Sequence, residues 1–408
     1  MQSTGASAPV RLDGEFIEDP YALYRRMREE SPVREVVTPR GLKVWLVTRY
    51  QDARDALADP TLHKNMRDGR ELFTKHSTTG SADELFGQEL SSHMLNSDPP
   101  DHTRLRKLVA KAFTMRRVEL MRPRIAEITE ELLDGLAGRD EVNLVDDFAF
   151  PLPVTVICEL LGVPQADRDD FRRWSNVLLS AGNFEEVHAA GEAMATYLYQ
   201  LVTGKVEHPA DDMLTALVQA RDDEGGGEGL GEFELVSMAF LLLVAGHETT
   251  VNLIANGVLS LLRNPDQLAA LRADPALLPG AVEEFLRYES PVNHATLRYT
   301  TVPVTLGGVE IPAEEFVLVS LGSANRDGNR FADPDQVDIT REAGGHLAFG
   351  HGIHFCLGAP LARLEGQIAI GGLLDRFPDL ALAVDPAELR WRNSTLLRGL
   401  ESLPVRIR

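Results

Sequence analysis

A mainly α-helical single domain with a small β portion is the fold class the sequence predicts, on three observations. Apolar residues recur at helical spacing through most of the 408 residues. The β-rich runs are few and short, lying at 33–48 and again after residue 296. No shift in composition marks a linker, since the Gly-rich "DDEGGGEGLG" (222–231) has similar sequence on both sides and reads as a surface loop. One domain spanning residues 1–408 is therefore expected.

In chain order, "DPYALYRRMREE" opens with Asp19 and Pro20, a cap and first-turn pair, and predicts a helix. "VREVV" and "KVWLVT" predict a hairpin. Helices are then predicted at Tyr50–Ala58, His102–Ala112, Arg116–Leu136, Val154–Leu161, Asp167–Leu179, Glu185–Gly204 and Asp211–Arg221. Residues 61–96 are polar and weakly patterned, which predicts a long mobile loop of the kind that often carries function. One helix from about Glu232 to Leu262, ~45 Å long at ~1.5 Å per residue, is apolar on most faces and must run through the centre of the domain. Helices at Pro265–Ala273 and Pro279–Tyr288, short strands within 296–308 and 316–321, and a last helix from Ala359 to Phe377 complete the pattern.

Formal net charge is −21, so phosphates repel the chain, and neither nucleic acid nor an anionic membrane is an expected partner. No continuous apolar run approaches the ~20 residues of a membrane span. Two cysteines, Cys158 and Cys356, make no disulfide framework, and the N-terminus lacks an apolar signal core. A reducing, cytoplasmic setting is expected. Cys158, in "PVTVICELLGV", reads as an inert buried residue. The acidic balance reverses locally, where Arg104, Arg106, Lys107, Lys111, Arg116, Arg117, Arg122 and Arg124 face one acid, Glu119. This run is either a solvated helix face or a docking patch for an acidic partner.

"GGHLAFGHGIHFCLGAPLAR" (344–363) crowds His346, His351, His354 and Cys356 among glycines. Structural zinc wants four N or S ligands in close pairs, and a single thiol fits that poorly. A lone thiolate on haem iron accounts for more residues. Its charge needs backbone N–H groups around it, and Gly350, Gly352 and Gly358 let the backbone curl. The helix that starts just after Cys356 points its positive end at the sulfur. Phe349 keeps the site dry.

"FGHGIHFCLG" (349–358) resembles the haem-binding loop of cytochrome P450 monooxygenases, Phe-Gly-x-Gly-x-(His/Arg)-x-Cys-x-Gly, at every fixed position. Three companion motifs strengthen the resemblance. "LVAGHETTVN" puts Glu248, Thr249, Thr250 and Asn252 inside an apolar helix. Alone, a threonine there would simply bond back to a carbonyl and bend the helix. The stretch resembles the family's (Ala/Gly)-Gly-x-(Asp/Glu)-Thr oxygen-activation motif. "EEFLRYESPV" carries Glu284 and Arg287, three apart, which elsewhere would be a weak surface pair. It resembles the family's buried Glu-x-x-Arg pair, completed by an arginine before the cysteine, for which Arg326 and Arg330 are the candidates. "SDPPDHTRLRKLV" sets His102 and Arg106 one turn apart.

The resemblance implies the P450 fold, a triangular prism with haem b between the long central helix and the Cys-bearing helix. Cys356 is then the metal ligand, with Phe349, Gly350 and Gly358 around it. His102, Arg106, Arg298 and His354 hold the propionates. Ala245 leaves room for dioxygen, while Thr249 and Glu248 deliver protons. Glu284 and Arg287 are structural. Electrons come from NAD(P)H through a reductase and an acidic ferredoxin docked on the basic proximal face. A monomer is expected.

By position in the family, Leu243, Val244, Val292, Asn293, Ala295, Leu396 and Leu397 line a largely apolar substrate pocket, joined by the 61–96 loop and the 174–186 region. The look of the motifs is closest to soluble actinobacterial hydroxylases of macrolides and polyketides. The implied reaction is hydroxylation or epoxidation of a bulky lipophilic metabolite with O2. A terpenoid, steroid or vitamin D type substrate is the alternative within the class. A non-catalytic haem sensor is the rival from outside it, and the single domain leaves no residues for an output module.

Overall fold

The computed structural model describes residues 10–65, 67–78, 88–179, 184–221, 227 and 229–408. Most of the predicted 222–231 loop lies outside them. The central helix occupies Glu232–Leu262, as its pattern requires. It is packed against helices Pro151–Leu161, Phe184–Glu207, Leu278–Tyr288 and Ala359–Arg376, so most of its apolar surface finds partners. By length and composition it would suit a membrane span, yet 72% of its most apolar window is buried inside the protein. Burial on many sides explains why its polarity is so low.

The β portion holds a six-stranded mixed sheet in the order 10–11, 33–37, 43–47, 316–319, 298–300 and 62–63. The predicted hairpin is present, with Val33 opposite Val47 and Val37 opposite Lys43. The strand Phe316–Val319 runs parallel to Lys43–Val47 and antiparallel to Arg298–Thr300, and so carries Arg298 into the interior. A three-stranded sheet joins 381–382, 404–406 and 141–143.

Two expectations are corrected. The predicted helix Arg116–Leu136 is two helices, Met115–Leu120 and Arg122–Leu136. Thr114 caps the first through its side chain, and Pro123 opens the second at a position where its missing N–H costs nothing. The 61–96 stretch is also more structured than its polarity implies. It contains the edge strand Leu62–His63, the helix Arg70–His76, a turn of helix at Gln88–Ser91 and a short 3₁₀ turn at Met94–Asn96. Residues 79–87 lie outside the described part.

Candidate active site

The cysteine loop closes on itself where the Phe349 carbonyl accepts the Cys356 N–H at 2.9 Å. Gly350 and Gly352 both have φ of 72°, a conformation that disfavours any residue with a Cβ. A Cβ on Gly352 would also stand 2.8 Å from the Leu57 carbonyl oxygen. Gly358 differs from expectation. Its φ of −78° is open to any residue, and its contribution is an N–H to the sulfur, alongside that of Ala359. Cys356 is reached by water yet surrounded by protein. Burial raises its thiol pKa, opposed by the two N–H groups and by Arg106 and Arg363. Phe349 carries the Arg363 guanidinium 4.5 Å above its ring.

The other histidines of the loop are engaged elsewhere. His346 lies 3.1 Å from Glu283, which also binds Arg363 at 2.6 and 2.9 Å. His351 lies 3.4 Å from Arg54. Among the described residues no cluster of three or more His, Cys, Asp or Glu is placed to hold a metal, so the zinc reading has no support.

Beside the loop is a cluster of basic side chains, several of them buried. His102 and His354 are packed ring to ring at 4.3 Å. Burial, helped by neighbouring cations, lowers the His102 pKa and takes that of His354 to about 2. Arg298 is buried, its one hydrogen bond among the described residues a 3.4 Å bond to the Thr296 carbonyl, and burial takes its pKa to about 10. Arg106 donates to the Phe355 carbonyl at 2.6 Å. Lys64 joins this group unpredicted. It is 2% exposed, and burial together with Arg298 pushes its pKa well below the usual value. Asp98 is the one carboxylate acting on Lys64, Arg298 and His102. Its oxygens are already taken up by the backbone N–H groups of Lys64 and Asn65 at 2.9–3.0 Å. His102 Nε2 has no hydrogen-bond partner among the described residues.

On the central helix, Ala245 is exposed and Thr249 partly so, in the middle of an otherwise buried segment. Four residues apart, they share one face with Leu241, which is also only partly buried. Thr249 donates to the Ala245 carbonyl at 3.0 Å. Glu248 points elsewhere and is buried. Its Oε2 accepts from Arg392 at 2.5 Å. Burial raises the Glu248 pKa, and His247 and Arg392 outweigh that, leaving it below the usual carboxylate value.

Comparison with known proteins decides what this arrangement is. The family model described as Cytochrome P450 matches residues 183–386. Cytochrome P450 107B1 of Saccharopolyspora erythraea is 59% identical over 397 residues, 97% of each chain. The chain belongs to the cytochrome P450 family. The vitamin D(3) 25-hydroxylase of Pseudonocardia autotrophica is 48% identical over 405 residues, 99% of this chain and 98% of that one. The tirandamycin C-bound P450 monooxygenase TamI superposes with a TM-score of 0.91 at 53% identity, covering 98% of this chain and 100% of that one. This P450 is accordingly a haem b monooxygenase that draws electrons from NAD(P)H through redox partners and acts on lipophilic substrates with O2.

The P450's Glu284–Arg287 pair is fully buried, with bonds of 2.7 and 2.8 Å. Neither expected arginine completes it. Arg326 bonds to the Tyr288 carbonyl and pairs with Glu289, while Arg330 bonds to the Gly344 carbonyl. Arg341 takes the place instead, 3.4 Å from Glu284. It lies closer to the cysteine in sequence, and only the path of the 326–341 loop brings it there.

The expected pocket residues divide. Val292 and Leu397 are bridged as backbone partners, and the Asn293 N–H donates to the Leu396 carbonyl at 2.8 Å, so these segments do meet. Leu396 is partly exposed, and Ala295 is half-buried. The Asn293 side chain instead accepts from Tyr24 at 2.8 Å in the N-terminal cluster. Leu243 and Val244 are buried, and Leu243 sits two residues from Ala245, on the far side of the helix. Leu241, on the open face, was missed because an all-round apolar helix gives no clue to its outward side.

Proposed function

We propose that Cys356 would ligate the haem iron, that the cluster beside it would hold the two propionates, and that the Ala245–Thr249 face would lie on the oxygen-binding side. The observation that carries this reading is the cation cluster, in which Lys64 and Arg298 are buried and Arg106 is half-buried. Lys64, Arg106 and Arg298 are three cationic groups against one carboxylate, Asp98, and uncompensated buried charge is costly. Two propionates would balance them and oppose the burial that lowers the Lys64 pKa. His102 and His354 are left as neutral hydrogen-bonding groups. The Gly358 and Ala359 N–H groups favour the thiolate once a cation takes the proton's place.

When bound, the haem supplies oxygen activation and insertion of one oxygen atom into substrate. The chain supplies the ligand, a dry pocket and protons. The Thr249 hydroxyl, which donates to the Ala245 carbonyl on the partly exposed face of the helix, is the last proton donor. Glu248 is the acid behind it.

The substrate we infer is a bulky, mostly apolar polyketide, hydroxylated or epoxidised. The fit to the tirandamycin C-bound TamI supports it. The likeness to a vitamin D(3) 25-hydroxylase supports a terpenoid, steroid or vitamin D type substrate as the second reading. The partner is an acidic ferredoxin. Much of the basic run is spent internally, since Arg104 pairs with Glu234, Arg122 with Glu119 and Arg124 with Glu159. Arg116 is exposed beside Met115 and Leu120, giving a mixed basic and apolar surface suited to such docking. A cytoplasmic monomer formed of one domain over 1–408 completes the proposal.

The test is turnover with ferredoxin, reductase and NAD(P)H against substrates first ranked by spin-state titration. Thr249→Ala should consume NAD(P)H with little product. Unchanged coupling would refute the proton path, and haem binding without turnover would favour the sensor reading.

A further inference from the structure

We propose that Arg392 is the positioning residue for the acid of oxygen activation. It fixes where the Glu248 carboxylate points and thereby makes the C-terminal pocket loop part of proton delivery. This rests on the proton-relay role given to Glu248 above.

The polar residues inside the central helix form a stripe. Glu248, Asn252 and Asn256 are four apart, all buried, and therefore lie along one side. The segment Trp391–Leu400 lies along that stripe. Arg392 pairs with Glu248 at 2.5 Å. A Cβ at Gly399 would stand 1.9 Å from Asn252 Oδ1, so only glycine permits this approach. Asn256 donates to the Arg398 carbonyl at 2.9 Å. The segment is closed by the Trp391–Leu400 bridge and by the Arg392 N–H on the Gly399 carbonyl. Its tip carries Leu396 and Leu397 to the Val292 segment. One loop thus grips the helix at three points and reaches the pocket with its end.

Within that grip Arg392 is the only hydrogen-bond donor to Glu248 among the described residues. Oε1 has no partner. His247 Nε2 is 3.6 Å away, beyond a hydrogen bond. Both ring nitrogens of His247 also have other partners. Its Nδ1 lies 2.7 Å from the Leu243 carbonyl, which can only accept, so Nδ1 carries the hydrogen. Nε2 then accepts from Ser175 Oγ at 2.9 Å. With Arg392 removed, the buried carboxylate keeps only His247 at 3.6 Å and no hydrogen-bond donor among the described residues, and it must either take up a proton or turn toward another group. Both outcomes change the proton supply to Thr249.

The experiment uses the holoenzyme of wild type, Arg392→Met, Arg392→Lys and Glu248→Gln. Haem content and thermal midpoint check folding. If Arg392→Met does not accumulate as holoenzyme, Arg392→Gln takes its place. Product formed per NAD(P)H and the solvent isotope effect report proton delivery. Spin-state titration reports substrate binding, and infrared spectroscopy reports a protonated buried carboxyl. The proposal predicts a several-fold loss of coupling in Arg392→Met, approaching Glu248→Gln, with a larger solvent isotope effect and recovery in Arg392→Lys. It also predicts a protonated-carboxyl band in Arg392→Met that is absent when Glu248→Gln is added. If Glu248→Gln uncouples while Arg392→Met only weakens substrate binding, Arg392 merely anchors the loop and the proposal is overturned. If Glu248→Gln itself leaves coupling intact, the relay reading fails and the proposal falls with it.

Discussion

Replacing Arg287 with methionine tests how the cysteine side of the molecule is held together. The guanidinium is fully buried and makes five bonds. Two go to Glu284 at 2.7 and 2.8 Å, and three go to the carbonyls of Asn325, Pro334 and Gln336 at 3.0, 2.8 and 3.1 Å. The last three tie the helix Leu278–Tyr288 to the loop that leads toward Cys356. Methionine fills much of the volume but leaves a buried carboxylate with only Arg341 at 3.4 Å and the Asp338 N–H at 2.9 Å. Breaking a buried pair costs ~3–5 kcal/mol. Each orphaned carbonyl adds ~1 kcal/mol at the low end of its range. Neighbouring terms do not add fully, so ~5 kcal/mol is a fair floor. That equals the whole stability of a weak domain. Arg287→Met should therefore fail to accumulate or unfold at much lower urea, followed by far-UV circular dichroism. Adding Glu284→Gln removes the uncompensated charge and should recover part of the loss. An Arg287→Met protein within ~1 kcal/mol of wild type would refute this reasoning.

Two further predictions concern the same region. Lys64→Met should speed haem transfer to apomyoglobin by ~10–100-fold, from a charged hydrogen bond worth ~1.5–3 kcal/mol, and an unchanged rate would remove Lys64 from the cofactor site. Burial favours a neutral Glu283, but Arg363 and His346 outweigh it and hold the carboxyl at about 2 against an ordinary 4.5. Its folded pKa is the lower one, so its contribution is full above the unfolded value and disappears as pH falls from about 4.5 through about 2. Partial exposure limits that contribution to ~1–2 kcal/mol. The stability gap between wild type and Glu283→Gln should close with acid, and a gap constant from neutral pH to pH ~3 would contradict the assignment.

The sequence was most legible where one pattern decided the outcome. The central helix was readable from Glu232 to Leu262 because apolar residues recur on most of its faces on both sides of Gly246, Asn252, Asn256 and Gly257. The helix Tyr50–Ala58 and the 33–47 hairpin were readable for the same reason. The break between Leu120 and Arg122 was visible in Thr114 and Pro123, but continuous helical spacing obscured it. The site was legible where its residues are neighbours in sequence, as in 349–358. It was not where long chain paths bring them together. Lys64 looks like one more surface lysine until the fold buries it beside Arg298. Arg341 reaches Glu284 across 57 residues. The polar stripe of the central helix looked wholly catalytic, yet Asn252 and Asn256 meet the C-terminal loop, whose approach no local pattern announces.

The most direct test of the account is the absorption spectrum of the reduced, CO-bound protein, taken for wild type and for Cys356→His. The account predicts bound haem with the red-shifted Soret band of thiolate ligation in wild type, replaced in the variant by the band of histidine ligation. A wild-type spectrum already of the histidine type, or a haem-free preparation that still oxidises substrate, would contradict it.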